Sequence, residues 1–152
     1  MRKALLFFWV ALFFASCNNT VQPVAADDGT QRSYWDNGRL KSESHYVDGK
    51  LDGPYKTWYA NGQVFQDGQY AKGMMDCSWF IFYPEGQLAS KALYEMGKGK
   101  QTCYNEEGCI IMEVNYVDNL KHGKEIYYAT DGTVLQVVEY EHGEKVSEKE
   151  KP

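Results

Sequence analysis

The side chains best suited to chemistry in this chain are its four cysteines, its three histidines and a scattered set of carboxylates. A catalytic or metal-binding role requires that such groups converge. Cys77, Cys103 and Cys109 form no Cys-x-x-Cys pair, and His45, His122 and His142 fall at different repeat positions, so no metal centre is expected. Asp48, Asp52, Asp76, Asp118 and Asp131 lie at turn signals, where turn chemistry accounts for a carboxylate, and Glu106-Glu107 reads as a solvated loop pair. There is no nucleophile paired with a base and no phosphate-binding loop, so the expectation is no catalytic residue, no cofactor and no enzyme. Cys103 and Cys109 flank one tight turn, within reach of a diagonal bridge, but free thiols are the preferred reading of an odd set. Recognition is the chemistry the composition favours. Aromatic residues make up 15% of the chain, and Trp35, Tyr59 and Tyr83, with Tyr55 and Trp79, are candidates for a protein-binding surface.

The N-terminus carries a different kind of chemistry. Arg2 and Lys3 precede an unbroken apolar stretch from Ala4 to Phe14, followed by Ala15-Ser16-Cys17. That order reads as a secretory signal peptide over residues 1–16, too short to span a bilayer. The small-small-Cys ending resembles the lipobox of bacterial lipoproteins, which implies lipidation at Cys17 and an exported, membrane-anchored protein facing the periplasm or cell surface. In a cell with two membranes the outer one is favoured by Asn18, where Asp commonly retains a lipoprotein at the inner membrane. Residues 17–31 are polar and aperiodic and read as a tether; residues 146–152 read as a charged, disordered tail. With 21 acidic against 16 basic residues, and two of the basic ones in the signal peptide, nucleic acid is not an expected partner.

Between these ends, over residues 32–145, the sequence repeats. Gly38, Gly62, Gly86, Gly108 and Gly132 are spaced by 24, 24, 22 and 24 residues. Four residues before each stands an aromatic (Tyr34, Trp58, Phe82, Tyr104, Tyr128), and two after stands an aliphatic (Leu40, Val64, Leu88, Ile110, Val134). Eight after stands Tyr46, Tyr70, Tyr94, Tyr116 or Tyr140, and three further on Gly49, Gly73, Gly97, Asn119 or Gly143. Each marked Gly predicts a three-residue hairpin loop with the Gly left-handed, so that Trp58 faces Val64, Phe82 faces Leu88 and Tyr104 faces Ile110. Each Gly or Asn after the Tyr predicts a second turn, Asn being the other residue that tolerates positive φ. Two turns per repeat predict an all-β fold: an elongated, single-layer antiparallel meander of roughly ten strands, open and twisted. Strand alternation places the plus-two, plus-four, plus-six and plus-eight residues on one side. The minus-four aromatics and plus-two aliphatics are read as its packed core, and Trp35, Tyr59 and Tyr83 as the opposite surface.

The segment Gly49-Lys50-Leu51-Asp52-Gly53-Pro54-Tyr55, with Trp58-Tyr59-Ala60-Asn61-Gly62-Gln63-Val64 and Gly68-Gln69-Tyr70-Ala71-Lys72-Gly73, is similar to the bacterial variant of the MORN repeat. The resemblance runs from about Tyr34 to Lys145, best in the second and third copies. The fourth departs, with Gln101 and Asn105 at aromatic positions and a two-residue deletion, and the fifth has Glu125 and Ala129 there. The resemblance implies hairpins laid side by side and, through the antitoxin-like YwqK type, a module that binds another protein, a toxin or an envelope component. It transfers no catalytic residue. An envelope scaffold or spacer with no dedicated ligand is the alternative.

Overall fold

A computed structural model describes residues 29–150. They form eleven strands: β1 (Gly29–Tyr34), β2 (Leu40–Val47), β3 (Lys50–Trp58), β4 (Val64–Ala71), β5 (Met74–Phe82), β6 (Leu88–Glu95), β7 (Lys98–Tyr104), β8 (Ile110–Val117), β9 (Leu120–Tyr128), β10 (Val134–Glu141) and β11 (Glu144–Glu150). They make one antiparallel sheet whose spatial order is the chain order, an open meander in a single layer, as the repeat predicts. The signal peptide, Cys17 and most of the expected tether lie outside the described residues.

The marked glycines turn the chain as expected. At Gly62 (φ 93°) the Tyr59 N–H donates to Gln63 O and the Gly62 N–H to Tyr59 O, both at 2.9 Å, enclosing a three-residue loop. The same pair of bonds closes the other four loops. Trp58 pairs with Val64, Phe82 with Leu88 and Tyr104 with Ile110. Each second turn is a two-residue loop with both residues at positive φ, from Asp48-Gly49 (49° and 70°) to Asp118-Asn119 (53° and 63°).

A bulge corrects the expected sidedness. Thr57 pairs with Gln66 but Trp58 with Val64, which leaves Phe65 as an extra residue; Lys41, Ala89, Ile111 and Leu135 hold the same place in the other repeats. Val64 thus goes with Trp58 and Gln66 with Thr57, which are neighbours on one strand and point to opposite faces. The minus-four and plus-two columns therefore leave the core face, and Tyr34 is 59% exposed.

The core lies instead along a row with one residue per strand, paired as Gln31 with Ser44, Tyr55 with Gly68, Trp79 with Ala92, Gln101 with Val114 and Glu125 with Val138. Large and small side chains alternate, which lets one layer of side chains interdigitate. Trp79 is 4% exposed and packs with Tyr94, Val114 and Tyr116, flanked by Tyr55, Tyr70, Met75, Ala92 and Met112. Its ring meets Tyr70 edge-on at 4.9 Å and 84°, and its Nε1 donates to Gln69 O at 3.0 Å. A Cβ on Gly68 would come within 2.2 Å of the indole, so the small partner at this place has to be glycine.

The ends also differ from the sequence reading. β1 begins inside the expected tether, and β11 occupies most of the expected tail. An edge strand is held by backbone hydrogen bonds to one neighbour, so alternating charges do not prevent it, and on an edge they discourage further pairing. In β11, Lys145 pairs with Glu148.

Candidate binding faces and inter-repeat contacts

With the core on one face, the other face of the sheet is open. Its central strands carry Trp58 and Val64, Phe82 and Leu88, then Phe80 and Leu93, which are 39% and 69% exposed. Phe80 and Phe82 stack with centroids 6.4 Å apart at 30°. Two shallow grooves score this face. One of 370 Å³ is lined by Pro54, Asp67, Gln69, Cys77, Ser78 and Phe80, and one of 260 Å³ by Gln63, Val64, Asp67, Phe82 and Gly86. Charged pairs border the aromatics: Lys56 to Asp67 at 2.7 Å and, toward the C-terminus, Lys100 to Glu113 at 2.7 Å. The Glu113 carboxyl is held below the ordinary range chiefly by its bond to Lys100, which outweighs the opposing desolvation, with the Tyr128 hydroxyl adding a smaller lowering effect.

The sequence-selected aromatics turn out to do other work. Trp79 is the centre of the core, and Tyr55 is half-buried beside it with centroids 5.9 Å apart. Trp35, Tyr59 and Tyr83 are tethers between repeats. Trp35 Nε1 donates to Trp58 O at 3.0 Å, Tyr59 Oη to Phe82 O at 2.8 Å and Tyr83 Oη to Tyr104 O at 2.8 Å. Each therefore caps the carbonyl of the next repeat's minus-four residue. Burial raises the Tyr59 and Tyr83 phenols above their ordinary value, as do nearby carboxylates. Phe80 and Leu93, which the sequence reading passed over, are the more accessible apolar side chains. Their signal was present as apolar residues out of phase with the core row, but the phase is set by the bulge.

The side of the second turns is stitched as well. The N–H of Gly73 donates to Leu51 O at 2.7 Å and that of Gly97 to Met75 O at 2.7 Å, while Asp76 Oδ1 accepts from Met96 N at 3.0 Å. The Asp76 carboxyl is accordingly held low, chiefly by that backbone bond. Asn119 reaches furthest, its Oδ1 accepting from Met75 N at 2.9 Å and its Nδ2 donating to Gly73 O at 3.0 Å.

At the C-terminal end of the core row Glu125 is 1% exposed; its Oε1 binds Lys121 Nζ at 2.5 Å, while Oε2 has no hydrogen-bond partner. Burial first and then this carboxylate raise the phenols of Tyr127 and Tyr140, the latter to about 12. Cys103, pushed up chiefly by burial, is free, as are Cys77 and Cys109. Among the described residues no three His, Cys, Asp or Glu groups converge on a common point. The histidines do correct one expectation. His122, in β9 just past one second turn, and His142, in the next second turn, are far apart in sequence but stand with ring centroids 5.2 Å apart.

The profile of the MORN repeat variant matches residues 27–48, 51–72 and 78–96. The chain is a MORN-repeat protein. The matched residues hold the first three repeats of this MORN-repeat sheet, and the hairpins around Gly108 and Gly132 continue the same geometry beyond them. A comparison with curated proteins found no matching relative.

Proposed function

We propose that this MORN-repeat protein is an exported bacterial envelope protein, lipid-anchored at Cys17, whose sheet binds another protein, and that the partner is a secreted toxin that it neutralises. The observation that carries the binding role is the open face. Phe80, Phe82, Leu93, Val64 and Leu88 form an apolar surface with no second layer over it among the described residues, flanked by two ion pairs, which is the composition of a recognition patch with a polar rim. The grooves beside it are shallow, which suits a protein surface better than a small molecule. Anchoring follows from the Ala15-Ser16-Cys17 motif, and the toxin reading from the resemblance to antitoxin-like proteins.

Deletion of the gene should sensitise the cell to one toxin encoded nearby. Restoring the chain should protect, whereas a Phe80→Ala/Leu93→Ala variant that folds normally should not. Sensitivity unchanged by deletion, together with envelope defects that no toxin triggers, would favour a scaffold instead. Incorporation of labelled fatty acid that disappears in Cys17→Ser tests the anchor.

A further inference from the structure

Two of the chain's three histidines stand side by side, and neither turn needs an imidazole. His122 occupies the position of Asp52 and Asp76, which cap the N–H of the next second turn, and His142 occupies that of Lys72 and Met96. A carboxylate does the capping at least as well: Asp76 accepts from Met96 N at 3.0 Å and Asp52 from Lys72 N at 3.4 Å, while His122 Nδ1 accepts from His142 N at 3.5 Å. We propose that His122 and His142 form a two-histidine site for a divalent transition metal such as Zn²⁺ or Ni²⁺.

The geometry fits. With metal–nitrogen bonds of about 2.0–2.1 Å, two imidazoles on one tetrahedral ion have centroids roughly 5 Å apart, and these lie at 5.2 Å with planes tilted by 57°. Acceptance at Nδ1 puts the proton of the neutral ring on Nε2 and aims the Nδ1 lone pair at the His142 turn, where an ion replaces the long hydrogen bond. Imidazole suits Zn²⁺, Ni²⁺ and Cu²⁺, and with two protein ligands the other coordination positions are left to water. The site is open to solvent, His142 being exposed and His122 half-buried. The charges around it are favourable. Lys121 and Lys145, next to it in sequence, are each ion-paired, to Glu125 and Glu148, while Glu141 and Glu144 close the His142 turn with negative charge.

The test uses the untagged full chain in mild detergent, titrated with Zn²⁺ alone while the imidazole ring C–H resonances are followed. The resonances of His122 and His142 should shift together and saturate at one equivalent, with that of His45 unmoved. His142→Lys and His122→Asn keep a residue compatible with the turn and the cap, and each should weaken binding by about tenfold or more, since only one ligand remains. His45→Ala should leave it unchanged. The proposal fails if Zn²⁺ leaves both resonances in place. It fails equally if either variant, its strand content intact by circular dichroism, binds as tightly as the parent; should one variant unfold, the other decides.

Discussion

The first three repeats and the last two turn the chain in the same way and are held together differently. In the first three, Trp35, Tyr59 and Tyr83 each reach the next repeat's backbone, and Tyr55 and Trp79 fill the core row in the second and third, where the first has Gln31. In the last two, Asn105 and Ala129 stand where those tethers were, and Gln101 and Glu125 where the core aromatics were. Polar substitutes take over: Gln101 Nε2 donates to Ser90 Oγ at 2.8 Å, Lys121 pairs with Glu125, and Tyr128 Oη donates to Glu113 at 2.9 Å. Turn geometry depends on φ angles that few residues tolerate, so it persists. The side chains that join one repeat to the next need only to satisfy their neighbours, and they drift.

The 22-residue spacing teaches the same lesson. In the β2–β3 pair, Ser44 opposes Tyr55 and Tyr46 opposes Leu51, so β3 holds two extra residues. The β6–β7 pair lacks them and runs in unbroken register from Ser90 and Cys103 to Glu95 and Lys98. The deletion removes a bulge and leaves the strand count unchanged. On the side of the second turns the Asn119 amide spans from its own turn to Met75 and Gly73.

The comparison can be broken at several levels. Alkali should act on both halves together. Burial, with lesser effects from neighbouring phenols or carboxylates, raises Tyr70 and Tyr140 to about 12, and the buried Tyr94 and Tyr116 lie further up. Unfolded tyrosine releases its proton near pH 10, so above that value the native state binds more protons than the unfolded one. The stability from neutral buried tyrosine is complete below about pH 10 and is lost as pH rises toward 12. Denaturant midpoints should fall across that window, and tyrosinate absorbance should appear with unfolding; midpoints flat to pH 12 would contradict the assignment of the core.

Within the core row, Trp79→Ala should cost about 3–5 kcal/mol and Gln101→Ala, at the equivalent place, about 1 kcal/mol by chemical denaturation. Equal losses would mean that the two halves share one packing logic. Lys121→Ala should cost about 3 kcal/mol by leaving the Glu125 carboxylate buried and unpaired, whereas Glu125→Tyr, which copies repeat two, should cost less. Tyr59→Phe should lose about 1 kcal/mol with its bond to Phe82 O. The same change at Tyr34, which is exposed, should lose almost nothing.

The smallest effects have opposite signs. Cys77 stands at φ 57° where Gly29, Gly53 and Gly123 stand at positive φ in other repeats, so Cys77→Gly should raise the melting midpoint by an amount worth about 1 kcal/mol. Asn119→Gly relieves a similar angle but removes two side-chain hydrogen bonds, and should lower it by about 1 kcal/mol.

How far the sequence could be read follows from these contrasts. Turn positions, strand order and the cross-hairpin pairs Trp58 with Val64, Phe82 with Leu88 and Tyr104 with Ile110 were legible, because a Gly at fixed offsets enforces a local backbone shape whatever surrounds it. The candidate surface was not. Tyr59 and Tyr83 look like free aromatics until the next repeat's carbonyl is seen 2.8 Å from each hydroxyl. Trp79 looks like one more of them until Gly68 is found beneath its ring.

What the amino-acid order determined alone is the number of hairpins, their succession in one sheet and the residues at each bend, all consequences of φ preferences within a few bonds. Which face is core was decided only in three dimensions. One extra residue per repeat, at Lys41, Phe65, Ala89, Ile111 and Leu135, slips the pairing by a single step, and with a side-chain period of two that step sends everything before it to the other face. The meeting of His122 with His142 has the same origin, since only stacked hairpins bring residues 20 apart into contact.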